Sequence, residues 1–212
     1  PISRAGSERI HKFCFDLAAR RSAKLGVPQS VTCVDKSNVL RGCQFFRSIF
    51  REIAESYPKI GAKEAYIDAF TMWLVRDPED LDVVVLPNMF GDIATDLASV
   101  LQGGMGMAAS ANLGDKHMMF EPVHGSSPKH AGKNRVNPIA MLSSLQLMLE
   151  NLSLRHDDPL LDKYGNILQQ AISQHLSSDG PKTYDIGGTG TTSEVGDAIA
   201  DRVRRLLRND NA

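Results

Sequence analysis

Two kinds of hydrophobic pattern alternate along the first half of the chain. Short apolar runs typical of buried strands are separated by segments in which apolar residues recur every three or four positions, as in amphipathic helices. In chain order these patterns predict a helix over residues 7–23, a strand over 30–34, a helix over 41–56, a strand over 63–67, a helix over 69–75, a strand over 81–86 and a helix over 92–101. Such alternation is typical of an α/β fold built around a mostly parallel sheet with flanking helices.

The pattern changes at a group of glycines, Gly103, Gly104 and Gly106. Turn-forming residues dominate from there to Pro138, which predicts a loop-rich stretch. Three further amphipathic helices are predicted, over residues 138–152, 159–176 and 193–207. We therefore expect two subdomains, residues 1–102 and residues 103–212.

Composition narrows the class of protein. The 212 residues carry a net charge of −1 and are 42% hydrophobic, which is ordinary for a globular domain and argues against a nucleic-acid partner. No apolar run approaches the roughly 20 residues that a membrane helix needs, so no membrane association is expected. The three cysteines, Cys14, Cys33 and Cys43, lie in apolar segments. Buried, reduced thiols in a cytoplasmic protein are the expectation.

Two carboxylates, Asp92 and Asp96, directly follow the apolar run that ends at Pro87. Four residues apart in a helix, they share one face near the end of a strand, and they repel by roughly 0.2–0.5 kcal/mol unless a cation compensates. Carboxylate oxygens favour Mg²⁺ or Mn²⁺ over zinc. The alternative is that acidic residues in a first helical turn complement the helix dipole and bind nothing.

Two other charged residues are expected at strand ends. Lys36 follows the strand over 30–34, where a lysine partly withdrawn from water can act as a general base. An ordinary surface lysine is the simpler alternative. Asp68 follows the strand over 63–67 and starts a helix, so an N-cap is its default interpretation.

A loop over residues 120–133 concentrates turn formers, hydroxyls and basic groups. Backbone amides near Gly125, Ser126 and Ser127 could hold a phosphate or a ribose, with Lys129 as a point charge for a further phosphate. A polar surface turn is the alternative. The glycines at 103–106 lack the G-x-G-x-x-G spacing, so the Rossmann fingerprint is absent.

Four segments together resemble one known family. They are residues 34–40 (VDKSNVL), 66–69 (YIDA), 88–97 (NMFGDIATDL) and 121–128 (EPVHGSSP). In this order they resemble the isocitrate and 3-isopropylmalate dehydrogenases, which are metal-dependent decarboxylating dehydrogenases without a Rossmann fold. The resemblance covers nearly the whole chain and corresponds to the carboxyl-terminal portion of that family. It implies that residues 1–102 belong to the subunit-interface and catalytic subdomain and that residues 103–212 form the carboxyl-terminal part of the cofactor-binding subdomain.

The resemblance also implies roles for the charged residues of the first subdomain. Asp92 and Asp96, with Asp68 from a neighbouring subunit, would hold Mg²⁺ or Mn²⁺ against the substrate. Lys36 would serve the proton relay at the substrate hydroxyl, and Asn38 would lie near the substrate and the nicotinamide. The implied assembly is a homodimer with shared active sites.

A second set of residues is implied to bind the dinucleotide: Glu121, His124, Gly125, Ser126, Ser127, Lys129, His130, Asn137 and Tyr184. Members of the family that prefer NAD usually carry an acidic residue at the position of Lys129, so Lys129, His130 and Tyr184 resemble the NADP pattern. Gly188, in contrast, stands where some NADP enzymes have an arginine. NADP is therefore favoured over NAD.

The function implied is the NAD(P)-dependent oxidative decarboxylation of a 2-hydroxy di- or tricarboxylic acid, of the 3-isopropylmalate or isocitrate type or a tartrate or malate. The family's amino-terminal half, with arginines that clamp the substrate carboxylates, is not present in this sequence, so the chain alone is expected to be inactive. The alternative is a non-catalytic regulatory or assembly subunit with the same fold.

Overall fold

The computed structural model describes residues 2–210. The chain divides into two compact units, with the division between Ala98 and Ser99. The boundary predicted from the sequence, after residue 102, lies four residues beyond the observed division.

The first unit is an α/β sheet structure. Its elements are α1 (Arg4–Leu25), β1 (Ser30–Asp35), α2 (Arg41–Ala54), β2 (Gly61–Tyr66), α3 (Ile67–Arg76), a 3-10 turn (Pro78–Asp80), β3 (Val83–Val85) and α4 (Asn88–Ser99). The strands form a parallel sheet in the order β2-β1-β3. The predicted elements and the parallel sheet are thus confirmed, with shifted ends.

The central strand β1 explains how the first unit is layered. Every residue of β1 is buried, and successive side chains point to opposite faces of the sheet. Cys33 packs with Phe15 and Phe50 of α1 and α2, whereas Val34 packs with Phe70 of α3. Because Asp35 pairs with Tyr66 in parallel register, β1 and β2 end at the same edge of the sheet. The residues that follow the two strands are therefore neighbours.

The cysteines are buried and are not joined in disulfides, as predicted. Burial raises the pKa of the Cys14 thiol to about 12 and raises the pKa of Cys33 as well. Neither thiol is ionised near neutral pH, so neither is a nucleophile.

A buried histidine joins α1 to α2. His11 is fully buried, and its Nε2 donates a hydrogen bond to the carbonyl oxygen of Phe46 at 3.1 Å. Its ring also lies 4.3 Å from the Phe46 ring, centroid to centroid. Burial lowers the pKa of His11 from 6.5 to about 4, because the charged imidazolium would lose its hydration. The histidine is a structural residue of the core.

Acid is expected to destabilise the first unit through His11. Between pH 6.5 and pH 4 the unfolded chain binds a proton that the folded chain excludes, so the free energy of unfolding falls as the pH falls. The loss between pH 7 and pH 5 is expected to be about 2 kcal/mol, and urea unfolding at the two pH values measures it. His11→Gln should lose most of this dependence, whereas the exposed His156→Gln should keep it. An unchanged pH dependence in His11→Gln would contradict the assignment.

The second unit contains a hairpin and three long helices. Its elements are a 3-10 turn (Val100–Gln102), β4 (Ala109–Leu113), β5 (Met118–Pro122), two 3-10 turns (Pro128–His130 and Tyr184–Ile186), α5 (Ile139–His156), α6 (Pro159–Leu176) and α7 (Thr192–Asp210). The three predicted helices are confirmed, and their core contains Ile139, Leu168 and Ile199. The expectation of a loop-rich stretch was wrong for the antiparallel β4-β5 hairpin.

None of the helices in the described part of the chain has the length and apolar character needed to cross a membrane.

Candidate active site

Lys36 and Asp68 meet at the shared end of β1 and β2. Lys36 directly follows β1, and Asp68 is the second residue of α3, which begins where β2 ends. The Lys36 Nζ donates to the Asp68 Oδ1 at 2.6 Å. This hydrogen bond is the main reason why the pKa of Asp68 is lowered from its usual value. The expected N-cap role was wrong, because Tyr66 occupies the N-cap position and makes no side-chain capping bond.

The loop that carries Lys36 is tightly hydrogen-bonded. The Lys36 carbonyl oxygen accepts from the backbone amides of Val39 at 3.0 Å and Leu40 at 2.9 Å. The Ser37 amide donates to the Asp35 carboxylate at 2.7 Å. Asn38, predicted to lie near substrate and nicotinamide, is exposed in the same loop. Lys36 thus extends from an ordered turn.

Asp92 and Asp96 lie on one face of α4, and both are exposed. The helix begins at Asn88, four residues earlier than predicted, because the Gly91 amide already donates to the Pro87 carbonyl at 2.9 Å. The expectation that the pair marks the helix start was therefore wrong. Since the first turn of α4 contains no acidic residue, the helix-dipole explanation for the pair no longer applies.

The three implied metal ligands are not gathered in one copy of the chain. Among the described residues, no group of three or more His, Cys, Asp or Glu side chains is placed to hold a metal ion. Asp92 and Asp96 supply two carboxylates, and Asp68 is paired with Lys36. The shared site implied by the family resemblance, with Asp68 coming from a second subunit, remains a prediction.

In the second unit, the loop after β5 forms one turn of 3-10 helix. Ser127 adopts the left-handed conformation, with φ of 46°, and its carbonyl accepts from the His130 amide at 2.9 Å. Gly125, Ser126 and Lys129 are exposed. The Nδ1 of His124 donates to the Gly125 carbonyl at 2.9 Å.

The location of Glu121 differs from the loop that the sequence predicted. It lies in β5, where its carboxylate accepts from the Asn112 side chain at 3.1 Å. Strand pairing therefore fixes its backbone.

Aromatic and cationic side chains surround Tyr184. The His130 ring stacks on the Tyr184 ring, with centroids 5.9 Å apart and an angle of 23°. The guanidinium of Arg135 lies 4.2 Å from the centre of the Tyr184 ring. This distance is well within the range of a cation–π interaction. Of the predicted cofactor residues, the structure thus brings His130 and Tyr184 together.

Asn137 makes hydrogen bonds that stabilise the backbone next to Tyr184. Its side-chain Nδ2 donates to the Asp185 carboxylate at 3.0 Å, and its Oδ1 accepts from the Ile139 amide at 3.0 Å. Gly106 packs against the same two side chains, since a Cβ there would lie 2.6 Å from the Asp185 Oδ2 and 3.1 Å from the Asn137 Cβ. Asn137 is buried and orders the loop that precedes α5.

The sequence profile of a family described as isocitrate/isopropylmalate dehydrogenase matches residues 1–199. The chain belongs to this family. It is 42% identical over 204 residues to the 3-isopropylmalate/3-methylmalate dehydrogenase of Methanocaldococcus jannaschii, covering 96% of this chain and 59% of that protein. It is 39% identical to the homoisocitrate dehydrogenase of the same organism, covering 98% of this chain and 56% of that protein.

Solved structures of the isocitrate/isopropylmalate dehydrogenase family share the fold. The apo β-decarboxylating dehydrogenase of Thermococcus kodakarensis superposes with a TM-score of 0.86 and 38% identity, covering all of this chain and 59% of that one. The predicted fold class is therefore confirmed. The chain spans somewhat more than half the length of these relatives.

Two arginines that make contacts near the candidate site were not predicted from the sequence. Arg135 lies in a loop outside every recognised motif, and only the fold brings it to Tyr184. Arg47 lies in α2 between the buried Phe46 and Ile49. The hydrophobic pattern of α2 could have identified Arg47, because it places an arginine on the buried face of the helix. A buried charge needs a partner of opposite charge or a hydrogen-bond acceptor.

Proposed function

We propose that the complete protein catalyses the NAD(P)-dependent oxidative decarboxylation of a 2-hydroxy di- or tricarboxylic acid. The Lys36–Asp68 hydrogen bond at the sheet edge carries the proposal. In it an amine lies beside a carboxylate at the carboxyl ends of parallel strands, the usual location of chemistry in open α/β sheets. The chain spans 59% of its relative from M. jannaschii, so the activity is proposed for the complete protein.

In the proposed reaction Lys36 is the proton-transfer group for the substrate hydroxyl. Its amine would take up that proton as the alcohol is oxidised, the bound nicotinamide would supply the hydride acceptor, and the resulting β-keto acid would then lose CO₂. The lysine side chain is about one quarter exposed, so it is partly withdrawn from water yet accessible to a ligand. The hydrogen bond to Asp68 aims the amine when the substrate is absent.

The carboxylates of α4 fit a divalent cation. Asp92 and Asp96 offer hard oxygen ligands from one exposed helix face, which suits Mg²⁺ or Mn²⁺. When bound, the cation would supply charge stabilisation for the substrate oxygen as it becomes negative. Asp68 of a second subunit would complete the ligand set. Two carboxylates alone would bind the cation weakly.

We infer that NADP is preferred over NAD. Lys129 is exposed within the 3-10 turn Pro128–His130, and Arg135 lies against Tyr184. No carboxylate stands at position 129, where it could accept from a ribose hydroxyl. Two cations and an aromatic surface favour a ligand with an additional phosphate.

A homodimer is proposed on the basis of exposed apolar residues on two neighbouring helices. Met72 and Val75 of α3 are 50% and 65% exposed, and Met89 and Ile93 of α4 are 62% and 61% exposed. A two-fold interface would bury such side chains on both subunits. Since α3 carries Asp68 and α4 carries Asp92 and Asp96, pairing these helices between subunits would bring the three carboxylates close together.

The test is an assay of the complete gene product with Mn²⁺ and with NADP or NAD. Isopropylmalate, isocitrate, tartrate and malate form the substrate panel, and both reduced cofactor and CO₂ are measured. Equimolar reduced cofactor and CO₂ with one substrate would support the proposal. If no substrate yields either product, the proposal is wrong, and the non-catalytic subunit of the same fold becomes the better explanation.

Mn²⁺ binding tests the metal site separately from turnover. Titration of the complete protein should show a site that Asp92→Asn weakens. Exposed Asp162→Asn in α6 of the second unit is a matched control and should leave the affinity unchanged. Binding that is insensitive to Asp92→Asn would contradict the proposed ligand.

A further inference from the structure

A buried arginine binds the strand ends that lead to Lys36 and Asp68. Arg47 of α2 is 8% exposed, and Asp35, the last residue of β1, is fully buried. The Arg47 Nε and one terminal nitrogen donate to the two oxygens of Asp35 at 2.9 and 2.7 Å. This two-pronged geometry is the strongest form of an arginine–carboxylate pair.

The same guanidinium also binds the end of β2. It donates to the Ala65 carbonyl at 2.8 Å and to the Glu64 carboxylate at 3.4 Å. It lies 5.0 Å from the centre of the Tyr66 ring. One planar group therefore ties the last residue of β1 to the last three residues of β2.

These contacts immediately precede the two reactive side chains. Asp35 is followed by Lys36, and its carboxylate also accepts from the Ser37 amide at 2.7 Å. Tyr66 is followed after one residue by Asp68. Parallel pairing of β1 and β2 brings Lys36 and Asp68 together, and one guanidinium holds the strand ends that lead to both.

We propose that Arg47 is a positioning residue, which acts through Asp35 and the β2 end to hold Lys36 and Asp68 in register. This inference rests on the proposed function of those two residues. A lysine at position 47 would keep the charge but could not replace the fork, because one ammonium cannot bond two carboxylate oxygens and a carbonyl in fixed directions.

The role of Arg47 is tested by comparing Arg47→Lys with a matched control, Asp82→Asn. Asp82 accepts from the Ser30 amide at 2.8 Å and from the Ser30 hydroxyl at 2.9 Å, so it anchors the opposite end of β1. Both variants are made in the complete protein, and their melting temperatures are measured. Asp35→Asn is the second test variant in case Arg47→Lys does not fold.

Amide hydrogen exchange of residues 36–40 gives the first readout and needs no substrate. Exchange should be about tenfold faster in Arg47→Lys and in Asp35→Asn, because the turn opens locally, and it should be unchanged in Asp82→Asn. Unchanged exchange in both test variants would overturn the proposal. If the complete protein has no dehydrogenase activity, only the proposed function is wrong. The hydrogen-exchange rates still test whether Arg47 positions the loop, because they need no substrate.

Steady-state kinetics give the second readout. Misplacing a reacting group by about 1 Å costs up to roughly 100-fold, so kcat should fall about 10- to 100-fold in Arg47→Lys while the KM for the dinucleotide stays within about twofold. Asp82→Asn should keep the parental kcat below its melting temperature. Equal losses of kcat in both variants would show that Arg47 acts only through stability and would overturn the proposal.

Discussion

A complete protein that carries Lys36→Ala is expected to lose about 100- to 10,000-fold in kcat, the usual contribution of a positioned general acid or base. The substitution removes the only atom by which this residue can accept a proton, and it also leaves Asp68 without its 2.6 Å partner. Lys59→Ala is the matched control, because Lys59 is an exposed lysine just before β2 and therefore lies near the opposite edge of the sheet. Both variants are compared at saturating substrate.

Mixed dimers test whether the site is shared. Because Lys36 and Asp68 are hydrogen-bonded within one chain, both would enter the same site of the partner. The complementing pair is therefore Lys36→Ala with Asp92→Asn, since one of the two sites in such a mixed dimer keeps both intact residues. Random mixing makes half of the dimers mixed, so about one quarter of the parental activity should return.

The mixture of Lys36→Ala with Asp68→Ala provides the negative control. If the two residues act at the same site, each site of the mixed dimer has lost one of them, and activity should stay at the level of the single variants. Recovery in this mixture, or no recovery in the mixture with Asp92→Asn, would contradict a site in which Lys36 and Asp68 come from one subunit and Asp92 from the other.

The first unit was predictable because its signals are local. The apolar run of β1 is buried on both faces, so it stands out in the sequence as a parallel strand. The start of α4 was missed because Gly91, a residue that disfavours helix interiors, was taken to precede the helix, whereas the hydrogen bond from its amide to Pro87 includes it in the first turn. The β4-β5 hairpin was missed because its strands are only partly buried and include small and polar residues.

Part of the site could be predicted from the sequence, and the rest depends on distant contacts. Lys36 and Asp68 follow adjacent parallel strands, so their proximity is a consequence of the strand order. Arg135, in contrast, meets Tyr184 across almost fifty residues of chain, and no local pattern encodes that contact. The fork from Arg47 to Asp35 likewise depends on how α2 packs on the sheet.

The loop before α7 explains the glycine at position 188, where some NADP enzymes have an arginine. A Cβ at Gly188 would overlap the carbonyl oxygen of Lys182 and lie 2.5 Å from its carbonyl carbon. That oxygen accepts from the Gly190 amide at 2.7 Å, and the Gly188 amide itself donates to the Thr183 carbonyl at 2.9 Å. The backbone is thus held on both sides of the contact, and this loop path excludes any side chain at position 188.

Gly188→Ala is therefore expected to lower the free energy of unfolding of the second unit by about 3 kcal/mol, at the upper end for overpacking, because backbone atoms must move. Gly196→Ala is the matched control. Gly196 lies in α7, where an added methyl group would meet no atom within 4 Å outside its own helix, so alanine there should stabilise the unit by roughly 0.5–1 kcal/mol through helix propensity. Urea unfolding of both variants measures the difference. If Gly188→Ala unfolds with the parental free energy, the loop can give way, and its glycine would then not be the reason why an arginine is excluded from this position.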